Sequence, residues 1–225
     1  MLPVKAAISM IDEDPARRAA ALKRKSPPMQ ITESMTKVAN REATKVAPVN
    51  VDPKGFLSEM QALGITFFAG VPDSCLAAFC AELEGTVNGR RHVITANEGA
   101  SVGIAFGHHM ATNEVPLVYM QNSGLGNAIN PILSAAHPEV YGCPMLLLIG
   151  WRGAPGVADE SQHQVQGRQT LAMLATMEIP TYTLPCDHEA AIKVRAQLLV
   201  ALTDPMHLTN TVTARTCPPR TAQPP

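Results

Sequence analysis

Charge is scarce in this chain. Only 16% of its 225 residues are Asp, Glu, Lys or Arg, and the net charge is −1. A protein that tracks nucleic-acid phosphates needs a basic patch, so this balance argues against a nucleic-acid surface. No apolar run reaches membrane length. Met145-Leu146-Leu147-Leu148-Ile149 reads as a buried strand and is too short to span a bilayer. The five cysteines (Cys75, Cys80, Cys143, Cys186, Cys217) are odd in number and form no CxxC pair. Reduced thiols in an intracellular compartment fit that pattern better than a disulfide framework or a zinc site, and Cys75 and Cys80 are expected to face a core. Gly124-Leu125-Gly126-Asn127 has the look of a phosphate loop, but the third glycine of a dinucleotide fingerprint and a Walker lysine are both missing. Nicotinamide binding is therefore not supported. His108 and His109 are neighbours inside a helical stretch, so they point about 100° apart and cannot clamp one metal together.

What is present is an alternating pattern in the middle of the chain. Asp52-Pro53 starts a helix, Phe56, Met60 and Leu63 share its face, and Gly64 ends it. Ile65–Ala69 reads as a strand. Asp73-Ser74 caps a helix with Leu76, Phe79, Cys80 and Leu83 at helical spacing. A strand at His92–Ala96, a Gly-rich helix from Glu98 to Ala111, a strand at Leu117–Gln121 and a helix over Leu125–Ala136, kinked at or starting near Pro131, follow. Met145–Ile149 is a strand, Trp151–Gln166 a loop, then come a helix around Leu171 and Leu174, a strand at Thr181–Leu184 and a last helix capped by Asp187. Gly99, Gly103 and Gly107 recur on one helix face. Each costs a helix about 1 kcal/mol relative to Ala, so another backbone is expected close by, in the same domain or a facing subunit.

The ends differ. Residues 1–50 carry Arg17-Arg18, Lys23-Arg24-Lys25 and Pro27-Pro28 without a core pattern. They read as a disordered or targeting extension. Asp12, Glu13 and Asp14 weigh against a transit peptide, which leaves a cytoplasmic protein with a mitochondrial alternative. Residues 51–204 form the expected domain, and 205–225, rich in Thr and Pro, the expected disordered tail.

Strands alternating with helices predict an α/β fold: a doubly wound, mostly parallel sheet with helices on both faces. Such sheets bind ligands beyond the carboxyl ends of their strands. Four polar segments fall there: Val71-Pro72-Asp73-Ser74, Asn97-Glu98, Gln121-Asn122-Ser123 and Trp151-Arg152-Gly153. Glu98 stands out as a single carboxylate between a β-branched run and a run of small residues. It is expected to be walled by apolar backbone, which favours the protonated form of a carboxyl group. Its position at a helix start also suits a carboxylate that serves only the helix dipole.

Gly70–Ser74, Ala96–Gly99, Gln121–Asn127 and Gly150–Gly153, in this order and spacing, resemble the PYR domain of thiamine-diphosphate-dependent 2-oxoacid decarboxylases. The likeness covers residues 52 to about 200. It lies in the branch of phosphonopyruvate decarboxylase and the sulfopyruvate decarboxylase alpha subunit. The resemblance implies that Glu98 hydrogen-bonds N1′ of the cofactor's aminopyrimidine and promotes the imino tautomer that acts as internal base. It implies catalytic roles for Glu98 and Asp73, and a cofactor pocket lined by Val71, Pro72, Gln121 and Asn122. Ser74 and Ser123 would meet a small 2-oxoacid substrate. Arg152 and His163 are candidates for its phosphonate or sulfonate group, because Arg offers a planar fork to such oxygens. Arg152 as an ordinary loop residue fits the sequence as well.

The family's diphosphate-binding (PP) domain holds magnesium through a Gly-Asp-Gly segment and a later Asn, and no Gly-Asp-Gly occurs in this chain. The resemblance thus implies magnesium bound by a partner PP domain and not here. The partner would be a beta-type chain, or the site would be shared in a homo-oligomer. After Pro205 the family's closing strand is due, but Met206–Val212 is broken by threonine. A truncated chain, or a non-catalytic interaction or regulatory module with this fold, is the alternative.

Overall fold

The computed structural model describes residues 51–185 and the backbone of 209–214. The expected N-terminal extension, the helix capped by Asp187, Cys186 and Cys217 lie outside the described residues. The elements are α1 (Pro53–Ala62), β1 (Phe68–Gly70), α2 (Ala77–Thr86), β2 (His92–Ile94), α3 (Glu98–Thr112), β3 (Leu117–Gln121), α4 (Leu125–Pro131), β4 (Met145–Gly150), α5 (Ser161–Thr176), β5 (Thr181–Thr183) and β6 (Thr209–Ala214). Local chemistry explains the boundaries. Asp52 accepts from the N–H groups of Lys54 and Gly55 at 3.2 and 3.0 Å, Pro53 opens α1, and Gly64 leaves it at φ +83°. Asn97 caps α3 through Ala100 N–H at 2.9 Å, and Asn113 closes it in the left-handed region. Asp73 caps a short 3-10 turn, Ser74–Leu76, ahead of α2.

All pairings are parallel, and the strand order is β2-β1-β3-β4-β6-β5. Along β3 and β4, side chains alternate between two cores. Leu117, Tyr119, Leu146 and Leu148 pack with Leu57, Met60, Phe79 and Leu83 from α1 and α2. Val118, Met120, Leu147 and Ile149 pack with Val102, Ala105, Ala128 and Leu174 from α3, α4 and α5. That is the two-sided burial of a doubly wound parallel sheet. The order reverses between β1 and β3, which opens a crevice where their carboxyl ends diverge.

Three expectations need correction. The threonine-rich tail holds a strand: Thr209–Ala214 pairs with β4 along its whole length and with β5 on its other side. β-branched threonine suits a pleated strand, and here it does not break one. The loop after Trp151 ends earlier than expected, because α5 starts at Ser161. Its first turns are exposed and polar, so they carry no apolar period to read. Of the three regularly spaced glycines, only Gly99 faces a close backbone. A Cβ there would sit 2.8 Å from the Asn127 carbonyl oxygen, whereas Gly103 and Gly107 face open space. The helix over 125–136 starts at Leu125 and passes from α-helix to a π-helical turn, Ile132–Ala136, just after Pro131.

At the amino edge of the sheet the paired histidines have structural work. His108 stacks on Phe67 with ring centroids 4.0 Å apart and meets the Glu114 carboxylate at 3.1 Å, while His109 Nδ1 meets the Glu114 carbonyl at 2.9 Å. No helix among the described residues is long and apolar enough to cross a membrane.

Candidate active site

The carboxyl ends of β1, β2, β3 and β4 bring the four polar segments to one edge. They form two clusters. The first is built on Glu98, the opening residue of α3. Its side chain lies against Gly124, where a Cβ would come within 2.3 Å of Glu98 Cγ and 2.5 Å of Oε1. Asn127 Nδ2 donates to Glu98 Oε2 at 2.8 Å. Oε1 has no hydrogen-bond partner among the described residues. Glu98 is only partly buried in this chain, not walled in as expected. Gly124 leaves room for the Glu98 carboxylate.

The second cluster joins β1, β3, β4 and α5. Asp73 is 6% exposed. Its Oδ2 accepts from Cys75 N–H at 3.2 Å, and its buried Oδ1 has no protein partner. Burial pushes its pKa up, against the opposing pull of the Cys75 N–H and the Arg152 charge. The adjacent Cys75 thiol is pushed up to about 12 by burial and by the Asp73 charge, so it is an inert thiol. Cys80 is buried as expected, and Cys75 is half-buried.

Arg152 is not a free cation. Nε and Nη2 donate to the two oxygens of Asp159 at 2.8 and 2.6 Å, and Nη1 donates to Ser74 Oγ at 2.9 Å. The bond from Arg152 drives the Asp159 carboxyl far below the usual carboxylate range. Asp159 also accepts from the N–H groups of Gly153 and Glu160, both at 2.9 Å. It is thus the hub of the loop after β4, a role the sequence reading missed. The available signal was an acid two residues before a helix start.

Asn122 is buried and fully engaged. Its amide donates to the Arg152 carbonyl at 3.0 Å and to Thr170 Oγ1 at 2.9 Å, and its oxygen accepts from Arg152 N–H at 3.2 Å. These bonds tie β3, the β4 loop and α5 together. Gln121 donates to Ser123 Oγ at 2.7 Å, and both are partly accessible. Val71 is held by its N–H to the Tyr119 carbonyl at 3.1 Å, and Pro72 is exposed. His163 lies on the first turn of α5, not on a loop, with Nδ1 buried and without a protein partner. Among the described residues, no group of three or more His, Cys, Asp or Glu side chains is placed to hold a metal ion.

This arrangement sets a partly accessible carboxylate, Glu98, and a buried acid whose pKa burial raises, Asp73, at the same sheet edge. Residues 54–173 match the family model described as thiamine pyrophosphate enzyme, N-terminal TPP binding domain. The chain belongs to the thiamine pyrophosphate enzyme family. Within it, the chain is similar to a phosphonopyruvate decarboxylase of Streptomyces hygroscopicus, 31% identical over 137 residues, which are 60% of this chain and 33% of that protein. It is also similar to the sulfopyruvate decarboxylase subunit alpha of Methanococcus maripaludis, 30% identical over 152 residues, which are 64% of this chain and 84% of that subunit. The chain thus spans about a third of the length of the phosphonopyruvate decarboxylases it matches. In fold it is similar to the benzoylformate decarboxylase of Polynucleobacter necessarius, with a TM-score of 0.58, 16% identity, and coverage of 79% of this chain and 33% of that one. The residues present fit the thiamine pyrophosphate group in one respect the geometry can test. Glu98 offers a partly accessible carboxylate whose Oε1 has no hydrogen-bond partner among the described residues.

Proposed function

We propose that this chain is the aminopyrimidine-binding half of a thiamine-diphosphate-dependent 2-oxoacid decarboxylase that converts phosphonopyruvate to phosphonoacetaldehyde and carbon dioxide. A PP-type domain from another chain would hold the diphosphate and magnesium. The observation that carries this reading is the Glu98 carboxylate at the sheet's carboxyl edge, with Oε2 bonded by Asn127 and Oε1 unpartnered among the described residues.

When bound, thiamine diphosphate supplies a carbon nucleophile and an electron sink for the loss of carbon dioxide. Glu98 would share a proton with the aminopyrimidine ring nitrogen through Oε1. Asp73, whose burial helps it retain its proton, would act as an acid or base beside the substrate. Gln121, Ser123, Val71 and Pro72 would line the pocket. Of the five N–H donors of Arg152, three are engaged by Asp159 and Ser74. The remaining two, with Ser74 Oγ and the unpartnered Nδ1 of His163, would meet the anionic end of the substrate. Asp159 cancels much of the Arg152 charge, so recognition would rest on directed hydrogen bonds more than on net attraction.

Sulfopyruvate is the second substrate reading. It is favoured by the share of the Methanococcus maripaludis alpha subunit that the chain covers, which also supports a two-chain enzyme. Calorimetric titration of thiamine diphosphate and magnesium, with and without a PP-type partner chain, tests the proposal. Binding only with the partner, lost in Glu98→Gln together with decarboxylation, is the expected result. Comparing the two 2-oxoacids as substrates decides between the readings. Absence of binding in every arm would leave an interaction module.

A further inference from the structure

We infer that Asn127 is a positioning residue that assigns separate tasks to the two oxygens of Glu98, an inference that rests on the cofactor reading above. Three contacts make the assignment. Asn127 Nδ2 donates to Oε2 at 2.8 Å, although the two residues are 29 positions apart. Gly124 lets the carboxylate lie flat, since any Cβ there would collide with Cγ, Cδ and Oε1. Gly99 lets the α4 backbone approach α3, because a Cβ at 99 would come 2.8 Å from the Asn127 carbonyl oxygen. Pro131 adds to this: it has no N–H to give that carbonyl the usual i+4 helical bond.

A glutamate side chain alone on a helix start turns freely, and ordering it costs conformational entropy at the moment of binding. The Asn127 amide removes that freedom in advance. An N–H donor at Oε2 also disfavours a proton there, so the proton exchanged with a bound heterocycle is directed to Oε1. The amide cannot act as a proton carrier itself, and it touches neither substrate nor cofactor in this role. Its work is to fix which oxygen faces the crevice.

The test uses the full chain in two arms. In the first, without cofactor, the side-chain amide resonances of Asn127 are followed by NMR during an acid titration. They are expected to move with pH in the wild type and to lose that movement in Glu98→Gln. Unmoved resonances in the wild type would overturn the contact. In the second arm, thiamine diphosphate and magnesium are titrated into the complex with the PP-type chain. Asn127→Ala is expected to weaken binding about tenfold at all pH values. Asn127→Asp is expected to weaken it further at pH 7.5, where two carboxylates face each other, and to recover at acid pH, where the introduced carboxyl is protonated and donates again. A merely structural role would give no acid recovery. If the wild type binds and Asn127→Asp matches it, or loses binding equally at every pH, the positioning role is overturned. If the wild-type complex binds no cofactor while the NMR contact is present, the cofactor reading fails and takes the positioning role with it.

Discussion

The Asp73 carboxylate occupies the space that a side chain at position 150 would need: a Cβ on Gly150 would lie 1.8 Å from Asp73 Oδ2 and 3.1 Å from Cys75 Cβ. Asp73 is buried and cannot swing into solvent. Gly150→Ala is therefore expected to destabilise the fold by about 1–3 kcal/mol through overpacking. Urea unfolding measures this, and Asp73→Ala in the Gly150→Ala background should restore part of the loss.

Gly124 makes a contrasting case. The atoms a Cβ would meet belong to the outer part of the partly open Glu98 side chain. Gly124→Ala is expected to leave stability within about 1 kcal/mol while displacing the carboxylate. Thermal melting and cofactor titration, done together, should show a near-native midpoint with binding lost. A large drop in melting temperature would mean that Glu98 cannot move aside.

Gly103 and Gly107 face open space on α3. In the isolated chain, each substitution by Ala should add up to about 1 kcal/mol of helix stability. If a second chain packs on this face, the same variants will melt higher alone yet assemble less well. Sedimentation of the pair at matched concentrations separates the two effects.

Two buried-edge carboxyls give opposite pH trends. Burial raises the Asp73 pKa above its ordinary 3.8. The proton bound by the native state then contributes stability in full below the unfolded value, and that contribution is lost as pH rises through the raised value. Asp73→Asn should thus melt above the wild type at pH 7, with the gap closing toward pH 3. The Arg152 bond lowers the Asp159 pKa, so its contribution is present above the ordinary carboxylate range and lost in strong acid. Asp159→Asn should melt below the wild type at pH 7, and its deficit should shrink on acidification. Melting curves from pH 3 to 8 check both signs.

Arg152→Lys keeps the charge but not the fork. The expected outcome is about a tenfold rise in KM for the 2-oxoacid, the scale of one charge-assisted hydrogen bond of about 1.5 kcal/mol, with cofactor affinity unchanged. Steady-state kinetics on the two-chain enzyme measures it. An unchanged KM would remove Arg152 from substrate recognition.

Much of this was legible in the sequence, for identifiable reasons. Asp52-Pro53, Asp73 and Gly64 are local signals, and each acts as a helix or turn boundary where the residues placed it. The apolar runs of β3 and β4 are buried on both faces and cannot be mistaken for surface. The site was harder to read, because its decisive contacts join distant positions. Asn122 donates to Thr170, 48 positions on, a contact that no local spacing announces. The pairing of Arg152 with Asp159 likewise depends on how the loop folds back and not on any motif. Strand β6 is hard to read because threonine serves loops and strands alike, and only its pairing on both sides settles it.

The placement of β6 also orders the events of synthesis. β1 to β4 find their neighbours among one another as the chain emerges. β5 does not: among the described residues its sole strand neighbour is β6, which is made later. On the ribosome, β5 stays unpaired until residues 209–214 leave the exit tunnel and wedge between it and β4. A nascent chain halted before that point presents one bare edge on β4 and a stray strand, and is a natural target for chaperones and proteases.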